Sequence, residues 1–233
     1  MKLKFIFVFI ILALLMPNVA WGEEKLEFEF WQMEYRLNEI IKTRFDTREL
    51  RGELDLGSDL SMDLAYQFWD QSQEDNNKLE NFSLTAVKDF APSEDEKLAL
   101  GVGLDYYQQT FETTSLDLSQ LEKRALQLVF EGEKRIVERI DLFAEMKYGI
   151  YSDYQFFNEN LASGITYDSN YDYRLKSGLS FKLGPDLKAK VGYKWSQESL
   201  ERVNNEETLV NDYDLSQLSQ RQQGVFLGLE TRF

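Results

Sequence analysis

The residues of this sequence best suited to chemistry are its carboxylates, since paired aspartates or glutamates can act as acid and base. Asp63 and Asp105 are the candidates, because both are predicted to lie on the polar faces of strands. Acids on such a face usually pair with lysine and arginine side chains. We therefore expect structural ion pairing at these two positions rather than catalysis.

The sequence contains no histidine and no cysteine. Nucleophilic triads of the Ser–His or Cys–His type therefore cannot be built. Zinc and other borderline metals lose their preferred ligands, and no disulfide can form. We predict that the protein is not an enzyme and holds no metal or cofactor.

Acidic residues also cluster in predicted loops, where calcium binding is the alternative to a solvated surface. Carboxylates suit Ca²⁺, but EF-hand spacing is absent, so we expect a solvated face open to an extracellular partner. A net charge of −15 argues against nucleic acid as that partner. The clusters are Glu198, Glu201, Glu206, Glu207, Asp212 and Asp214, with Asp168 and Asp172 as a smaller group.

The N-terminus has the three parts of a secretory signal peptide. Lys2 and Lys4 precede an apolar run over residues 5–16, and Ala20 and Gly22 form a small-x-small cleavage site. The apolar run is shorter than the ~20 residues that a spanning helix needs. We predict a cleaved signal peptide over residues 1–22 and one folded domain over residues 23–233.

That domain alternates apolar and polar residues with a period of two, which predicts strands with one apolar and one polar face. The clearest segments are 60–68, 98–106, 140–150, 171–183, 187–195 and 225–233, with weaker ones at 50–56, 82–90 and 126–130. Together with a first segment near residues 26–37 they predict ten strands. Short turns are predicted at 57–59, 91–96, 132–135 and 184–186, and longer polar links near 38–47, 70–80, 108–121, 151–170 and 198–222.

The first strand is ambiguous because its apolar parity changes. Apolar residues occupy even positions from Leu26 to Phe30 and odd positions from Trp31 to Leu37. A β-bulge near residues 30–31 would reconcile the two patterns. A short helix over residues 31–42 is the alternative.

The closing segment, Gly-Val-Phe-Leu-Gly-Leu-Glu-Thr-Arg-Phe at 224–233, resembles the last strand of bacterial outer-membrane β-barrels. An even strand count, alternating short and long connections, and tyrosines at strand ends are typical of the same class. The resemblance implies an all-β fold: a single antiparallel transmembrane barrel of ten strands, with short periplasmic turns and longer extracellular loops. It implies localisation in the bacterial outer membrane, with outer-membrane lipid, lipopolysaccharide and the barrel insertion machinery as partners. Phe233 would be the insertion signal.

Known enzymatic outer-membrane barrels, such as omptin-like proteases and the phospholipase, resemble one another in relying on a histidine. This chain has none, so a hydrolase is the least favoured of three functions. The first is a non-catalytic barrel with a largely plugged lumen and acidic loops for adhesion, partner binding or envelope structure. The second is a narrow porin-like channel for small or charged solutes.

A cluster of charges is predicted to plug the periplasmic half of the lumen. Glu53, Asp55 and Asp63 would face Lys182, Lys188 and Lys190 across a ring of ten strands. Pairing is expected because unpaired charges in a narrow lumen are costly. The full predicted set is Glu53, Asp55, Asp63, Arg139, Asp141, Lys182, Lys188, Lys190, Glu230 and Arg232.

Overall fold

The computed structural model describes residues 24–38, 41–70, 78–93, 95–111, 119–158, 164–203, 209–210, 213–214 and 216–233. The predicted signal peptide lies outside the described residues, as do Glu206, Glu207 and Asp212. Within these ranges, no helix is long and apolar enough to cross a membrane.

Ten long antiparallel strands in the described ranges close into one barrel. They are β1 (Lys25–Leu37), β2 (Ile41–Gly57), β3 (Leu60–Asp70), β4 (Lys78–Ser93), β5 (Glu96–Phe111), β6 (Ser119–Val137), β7 (Ile140–Asn158), β8 (Ile165–Lys182), β9 (Leu187–Arg202) and β12 (Gln217–Arg232). Two short strands, β10 (Leu209–Val210) and β11 (Tyr213–Asp214), form a hairpin between β9 and β12. The prediction of an all-β, ten-stranded antiparallel barrel is confirmed.

The ring closes because β1 pairs with β2 on one side and with β12 on the other. Each barrel strand between them pairs with its neighbours in sequence, apart from the direct β9–β12 contact. Closure gives every strand two partners and removes the open edge that a flat sheet would leave unpaired.

The tight turns gather at one end of the barrel, which is the periplasmic end in the predicted orientation. The β2–β3 turn contains Gly57 at φ 79°, Ser58 at 57° and Asp59 at 60°. Positive φ angles of this kind favour the tight hairpin turns that join antiparallel strands. The predicted turn at 132–135 is wrong, because β6 continues through it to Val137 and turns at residues 138–139.

The strands also extend further toward the long-loop end than predicted. Much of the predicted link 151–170 belongs to β7 and β8, and much of 198–222 belongs to β9 and β12. Single-residue bulges at Ile150 and Asn170 shift the register where these extensions begin. The predicted loop acids Asp168, Asp172, Glu198 and Glu201 are therefore strand residues.

The first strand runs without a break from Lys25 to Leu37. Its residues pair in continuous register with both β2 and β12, so the proposed bulge and the alternative helix are both wrong. Trp31, Met33, Tyr35 and Leu37 all point into the barrel and are at most 5% exposed. The strand keeps the same face toward the lumen throughout. The parity of the apolar residues changes because they face outward up to Phe30 and inward from Trp31.

Candidate functional site: the barrel lumen

The periplasmic half of the barrel carries its apolar residues on the outside. Exposed apolar side chains surround this half, and tyrosines mark its upper limit. Such a band, bounded by aromatic residues, is the lipid-facing surface of a transmembrane barrel. It includes Leu26, Phe28, Phe30, Leu98, Leu100, Val102, Leu104, Phe130, Met146, Leu175, Val225, Leu227 and Leu229, with Tyr106, Tyr148, Tyr151 and Tyr193 at the upper limit.

The extracellular half has the opposite polarity. On β1 the outward positions above Phe30 are Gln32, Glu34 and Arg36, while the inward positions are apolar. The same inversion occurs on β12, where residues 217–223 expose polar side chains above the apolar outward run 225–229. The barrel thus has a lipid-exposed lower half with a polar interior and a water-exposed upper half with an apolar interior.

The apolar interior of the upper half is a continuous core to which all ten barrel strands contribute. Leu79, Leu121 and Leu200 are completely buried, and the Phe45 and Trp69 rings stack with centroids 3.6 Å apart. We call this set the extracellular core. Its members are Trp31, Met33, Tyr35, Leu37, Phe45, Trp69, Leu79, Tyr107, Leu121, Tyr154, Phe156, Ile165, Tyr167, Leu200, Leu218 and Phe226. Phe226 extends the core downward to the level of the lipid-facing Val225 and Leu227.

A buried ionic cluster lies against this core. Lys123 Nζ is 2.6 Å from Asp172 and 2.5 Å from Glu198. The hydroxyl of Tyr154 donates to Glu198. Arg174 reaches Asp105 at 2.8 Å, so this candidate acid is held in an ion pair.

A second ionic cluster spans the lower lumen. Lys194 lies 2.6 Å from Glu49 and 2.5 Å from Glu29. Lys176 also contacts Glu29, and Arg51 lies 2.7 Å from Glu145 on the opposite wall. Ion pairs therefore cross the lumen in several directions.

Most of the predicted charge cluster lies nearer the periplasmic mouth. Lys190 is 2.7 Å from Glu230, Lys188 is 3.4 Å from Asp141, and Lys182 is 3.8 Å from Asp141. Arg232 is 3.4 Å from Glu230. Six of the ten predicted residues are therefore brought together: Asp141, Lys182, Lys188, Lys190, Glu230 and Arg232.

The predicted partners across the lumen are wrong. Glu53 pairs with Lys25 of the neighbouring strand, and Asp63 lines a cavity with Arg51. Lys190 instead reaches Glu27 at 2.7 Å, and Lys188 reaches Glu133 at 3.0 Å. The acids of β1 and β6 lie closer to these lysines than the acids of β2 and β3 do, and they take the pairing positions.

Two predicted cluster residues lie outside the lumen. Asp55 is exposed near the end of β2, where its carboxylate accepts a hydrogen bond from the Gly57 N–H at 2.7 Å. Arg139 is exposed in the β6–β7 turn. The predicted turn at 132–135 would leave Arg139 within a strand, whereas the turn lies at residues 138–139.

Sequence reasoning missed the ionic residues of β1 and of the strand extensions. Glu27 and Glu29 alternate with the outward residues Leu26, Phe28 and Phe30, and this alternation was the available signal. Asp172 carried the same signal, since it alternates with the outward Tyr171 and Tyr173. Lys123 and Glu198 gave no comparable signal, because the outward residues beside them are polar. Around Lys123 and Glu198 the apolar residues point inward and the polar residues outward, which is the opposite of the alternation in the lipid-exposed half.

The spaces bordered by the described residues include two cavities inside the barrel. One of about 130 Å³ is lined by Glu27, Arg51, Asp63 and Lys190 among others, and a smaller one of about 80 Å³ lies beside Trp31. A wider space of about 350 Å³ at the periplasmic mouth is bordered by Lys97, Arg135, Lys182 and Pro185 among others. The smaller cavity borders the lower edge of the extracellular core, since Trp31 and Tyr107 line it.

Similar folds occur among solved outer-membrane proteins. The protease OmpT of Escherichia coli is 14% identical, covers 93% of this chain and 98% of its own, and superposes with a TM-score of 0.57. The translocator domain of autotransporter NalP from Neisseria meningitidis is 13% identical over 100% of this chain and 95% of its own, with a TM-score of 0.48. Neisserial surface protein A is 12% identical over 91% of this chain and 99% of its own, with a TM-score of 0.46.

No family model and no curated protein sequence matches the chain. The likeness is therefore one of fold. A closed barrel with an apolar outer band and a charged interior is the fold of bacterial outer-membrane β-barrel proteins.

Proposed function

We propose that this protein is a non-catalytic outer-membrane barrel with a sealed lumen, and that its extracellular half serves as a rigid platform for partner binding. The observation that carries the proposal is the extracellular core. All ten barrel strands send apolar side chains into it, and Leu37, Leu121 and Leu218 are at most 1% exposed. An ion that crosses such a layer loses its hydration without gaining polar partners, which is strongly unfavourable.

The ionic clusters below the core support the same proposal. Charged residues that line a conducting pore need contact with water and with the passing solute. Here Lys123 and Glu29 are each 1% exposed and are held by opposite charges. Their role is to bind the walls of the barrel to one another.

The height of the barrel supports a platform outside the membrane. β7 has 19 residues, which span about 60 Å at ~3.3 Å per residue. With a tilt of ~40°, the strand rises about 45 Å, against an apolar band of about 25 Å. The remaining height carries the polar outward surface, where a partner would bind.

The narrow channel is the second candidate, and the charged space at the periplasmic mouth favours it. Single-channel recording with the purified barrel in a planar bilayer distinguishes the two. We expect no conductance steps from the wild-type barrel over a range of voltages. Reproducible ion-selective steps would overturn the sealed-lumen proposal and favour the channel.

The third candidate, a hydrolase, is disfavoured by the lack of histidine and by the pairing of Asp105 with Arg174. Mass spectrometry of peptides, phospholipid and lipopolysaccharide incubated with the folded barrel tests it. We expect all three substrates to be recovered unchanged, with the boiled barrel as the background control. Cleavage by the folded barrel alone would contradict the proposal.

A further inference from the structure

Basic side chains are concentrated on the outer surface of three neighbouring strands, β12, β1 and β2. Arg36 of β1 lies directly opposite Arg221 of β12 on one side and Lys42 of β2 on the other. All three point outward, above the apolar band. Arg44 and Arg48 continue the same outward face along β2. We call Arg36, Lys42, Arg44, Arg48 and Arg221 the basic face.

The rest of the upper circumference has the opposite charge balance. On the described outward positions of β4 to β9 above the apolar band, acids outnumber bases. The acids are Glu80, Glu122, Asp153, Asp168 and Glu201, and the bases are Lys78 and Arg124. The basic face holds five bases with only Glu34 and Asp46 beside them. This concentration is notable in a chain whose net charge is −15.

The row of three cations is unfavourable by itself. Directly opposed side chains on antiparallel strands lie ~5 Å apart at Cβ, and like charges in that position destabilise the sheet. Arg36 is partly compensated, since its Nε donates to Glu34 at 2.7 Å. Glu34 is also the residue directly opposite Arg44, so a single carboxylate lies beside two of the five cations. An external anion would remove the repulsion.

The basic face begins at the edge of the lipid. Arg48 is paired with Phe30 and Phe68, which both point outward toward the membrane boundary. Lys42 lies six residues further along β2, about 20 Å along the strand and ~15 Å higher once the tilt is included. This span coincides with the headgroup region of the outer leaflet.

We propose that the basic face binds the phosphate groups of outer-leaflet lipopolysaccharide. Arginine suits this ligand because its planar guanidinium can donate two parallel hydrogen bonds to a phosphate. The row Arg221–Arg36–Lys42 offers three donors side by side, and Arg44 and Arg48 extend the contact toward the acyl chains. The lipid would thus be held on one side of the barrel, away from the acidic remainder of the surface.

The test compares two double variants that each remove one lysine and one arginine. Lys42→Gln with Arg221→Gln alters the basic face and leaves the Arg36–Glu34 pair in place. Lys78→Gln with Arg124→Gln alters the acidic side at outward positions above the band. Binding of bisphosphorylated and dephosphorylated lipid A to the folded barrel in neutral detergent is then measured by native mass spectrometry.

We expect the wild-type barrel to prefer bisphosphorylated lipid A, and the K42Q/R221Q variant to lose about tenfold in affinity for it or more. The K78Q/R124Q variant should bind within about twofold of wild type, because its charges lie apart from the basic face. Equal affinity of wild type for the two lipids would overturn the proposal. Equal losses in the two variants would also overturn it, since they would indicate a general charge effect.

Thermal unfolding gives a second readout. Without phosphorylated lipid, the K42Q/R221Q variant should be at least as stable as wild type, because two repelling charges are gone. With bisphosphorylated lipid A, wild type should gain more stability than this variant. If millimolar inorganic phosphate stabilises wild type as much as the lipid does, the assignment to a lipid headgroup is wrong.

Discussion

The ammonium of Lys194 lies 2.6 Å from the carboxylate of Glu49 and joins β9 to β2 inside the barrel. The two strands are separated by β12 and β1, the pair that closes the ring. Lys194 also contacts Glu29 of β1 at 2.5 Å and lies 5.2 Å from the centre of the Trp31 ring. One side chain therefore bridges the closing seam and connects the ionic cluster with the extracellular core.

Replacing Lys194 with methionine should destabilise the barrel by about 3–5 kcal/mol, because two buried carboxylates lose a partner. The matched variant Lys134→Met removes a lysine whose side chain is 63% exposed and forms an ion pair with the exposed Glu96. It should destabilise the barrel much less than Lys194→Met does, because water screens an exposed ion pair. Equilibrium urea unfolding in lipid vesicles, followed by tryptophan fluorescence, measures both. If both variants lose the same stability, the Lys194 ion pairs across the closing strands contribute no more than an exposed surface pair does.

The polarity inversion predicts different costs for the same residue at two outward positions of β7. Met146 is 43% exposed in the apolar band, whereas Gln155 lies on the polar outward surface above it. Met146→Arg should cost about 2–4 kcal/mol near the bilayer midplane, while Gln155→Arg should change stability by less than ~0.5 kcal/mol. The comparison requires vesicles, since a detergent micelle adapts to the charge. If arginine lowers stability equally at Met146 and Gln155, the membrane boundary does not lie between these two residues.

The strand pattern of the lower half could be predicted because lipid and lumen impose opposite requirements on alternate residues. Leu98, Leu100 and Val102 alternate with small or polar residues, and the structure exposes all three on the outer surface. Strand number and closure follow from counting such segments. The seam, most of the turns and the approximate lower ends of most strands were therefore accessible from sequence.

The upper half was less predictable because water surrounds it, so its apolar residues face inward, as in a soluble protein, and its polar residues face outward. The outward residues of its strands, such as Asp153 and Gln155, look like loop residues when an apolar outer face is sought. Trp31 and Met33 were identified as strand residues but were explained by a bulge. Which charges pair was also beyond sequence, because it depends on strand tilt and side-chain reach rather than on parity.

Close packing around Gly192 predicts a large effect of adding one methyl group. A Cβ at this position would lie 2.7 Å from the ring of Phe226 and 2.2 Å from the backbone oxygen of Ser177. Because the backbone oxygen cannot move aside freely, Gly192→Ala should destabilise the barrel by about 1–3 kcal/mol. At Gly132 on the outer surface, the nearest atom to a Cβ is a flexible Leu98 side chain at 3.5 Å. Gly132→Ala should therefore be tolerated in the same unfolding assay, and a reversed order would contradict the packing.

The extracellular core can be tested at Leu200 and Leu218, which are cross-strand partners on β9 and β12 and are at most 1% exposed. Each leucine-to-alanine change should cost about 2–5 kcal/mol, through lost burial and the cavity left behind. The double variant should depart from additivity, because the two side chains share one environment.

The next residue pair along the same strands provides the control. Ser199 and Ser219 are also cross-strand partners but point outward, so alanine at either should change stability by less than ~0.5 kcal/mol. The leucine variants should remain non-conducting in a planar bilayer, since a small apolar cavity stays dry. If alanine at Leu200 and Leu218 costs no more than alanine at the serines, the upper half is not a packed core. If the leucine double variant conducts ions, a layer only one side chain thick separates the lumen from the outside, and the seal is weaker than its burial indicates.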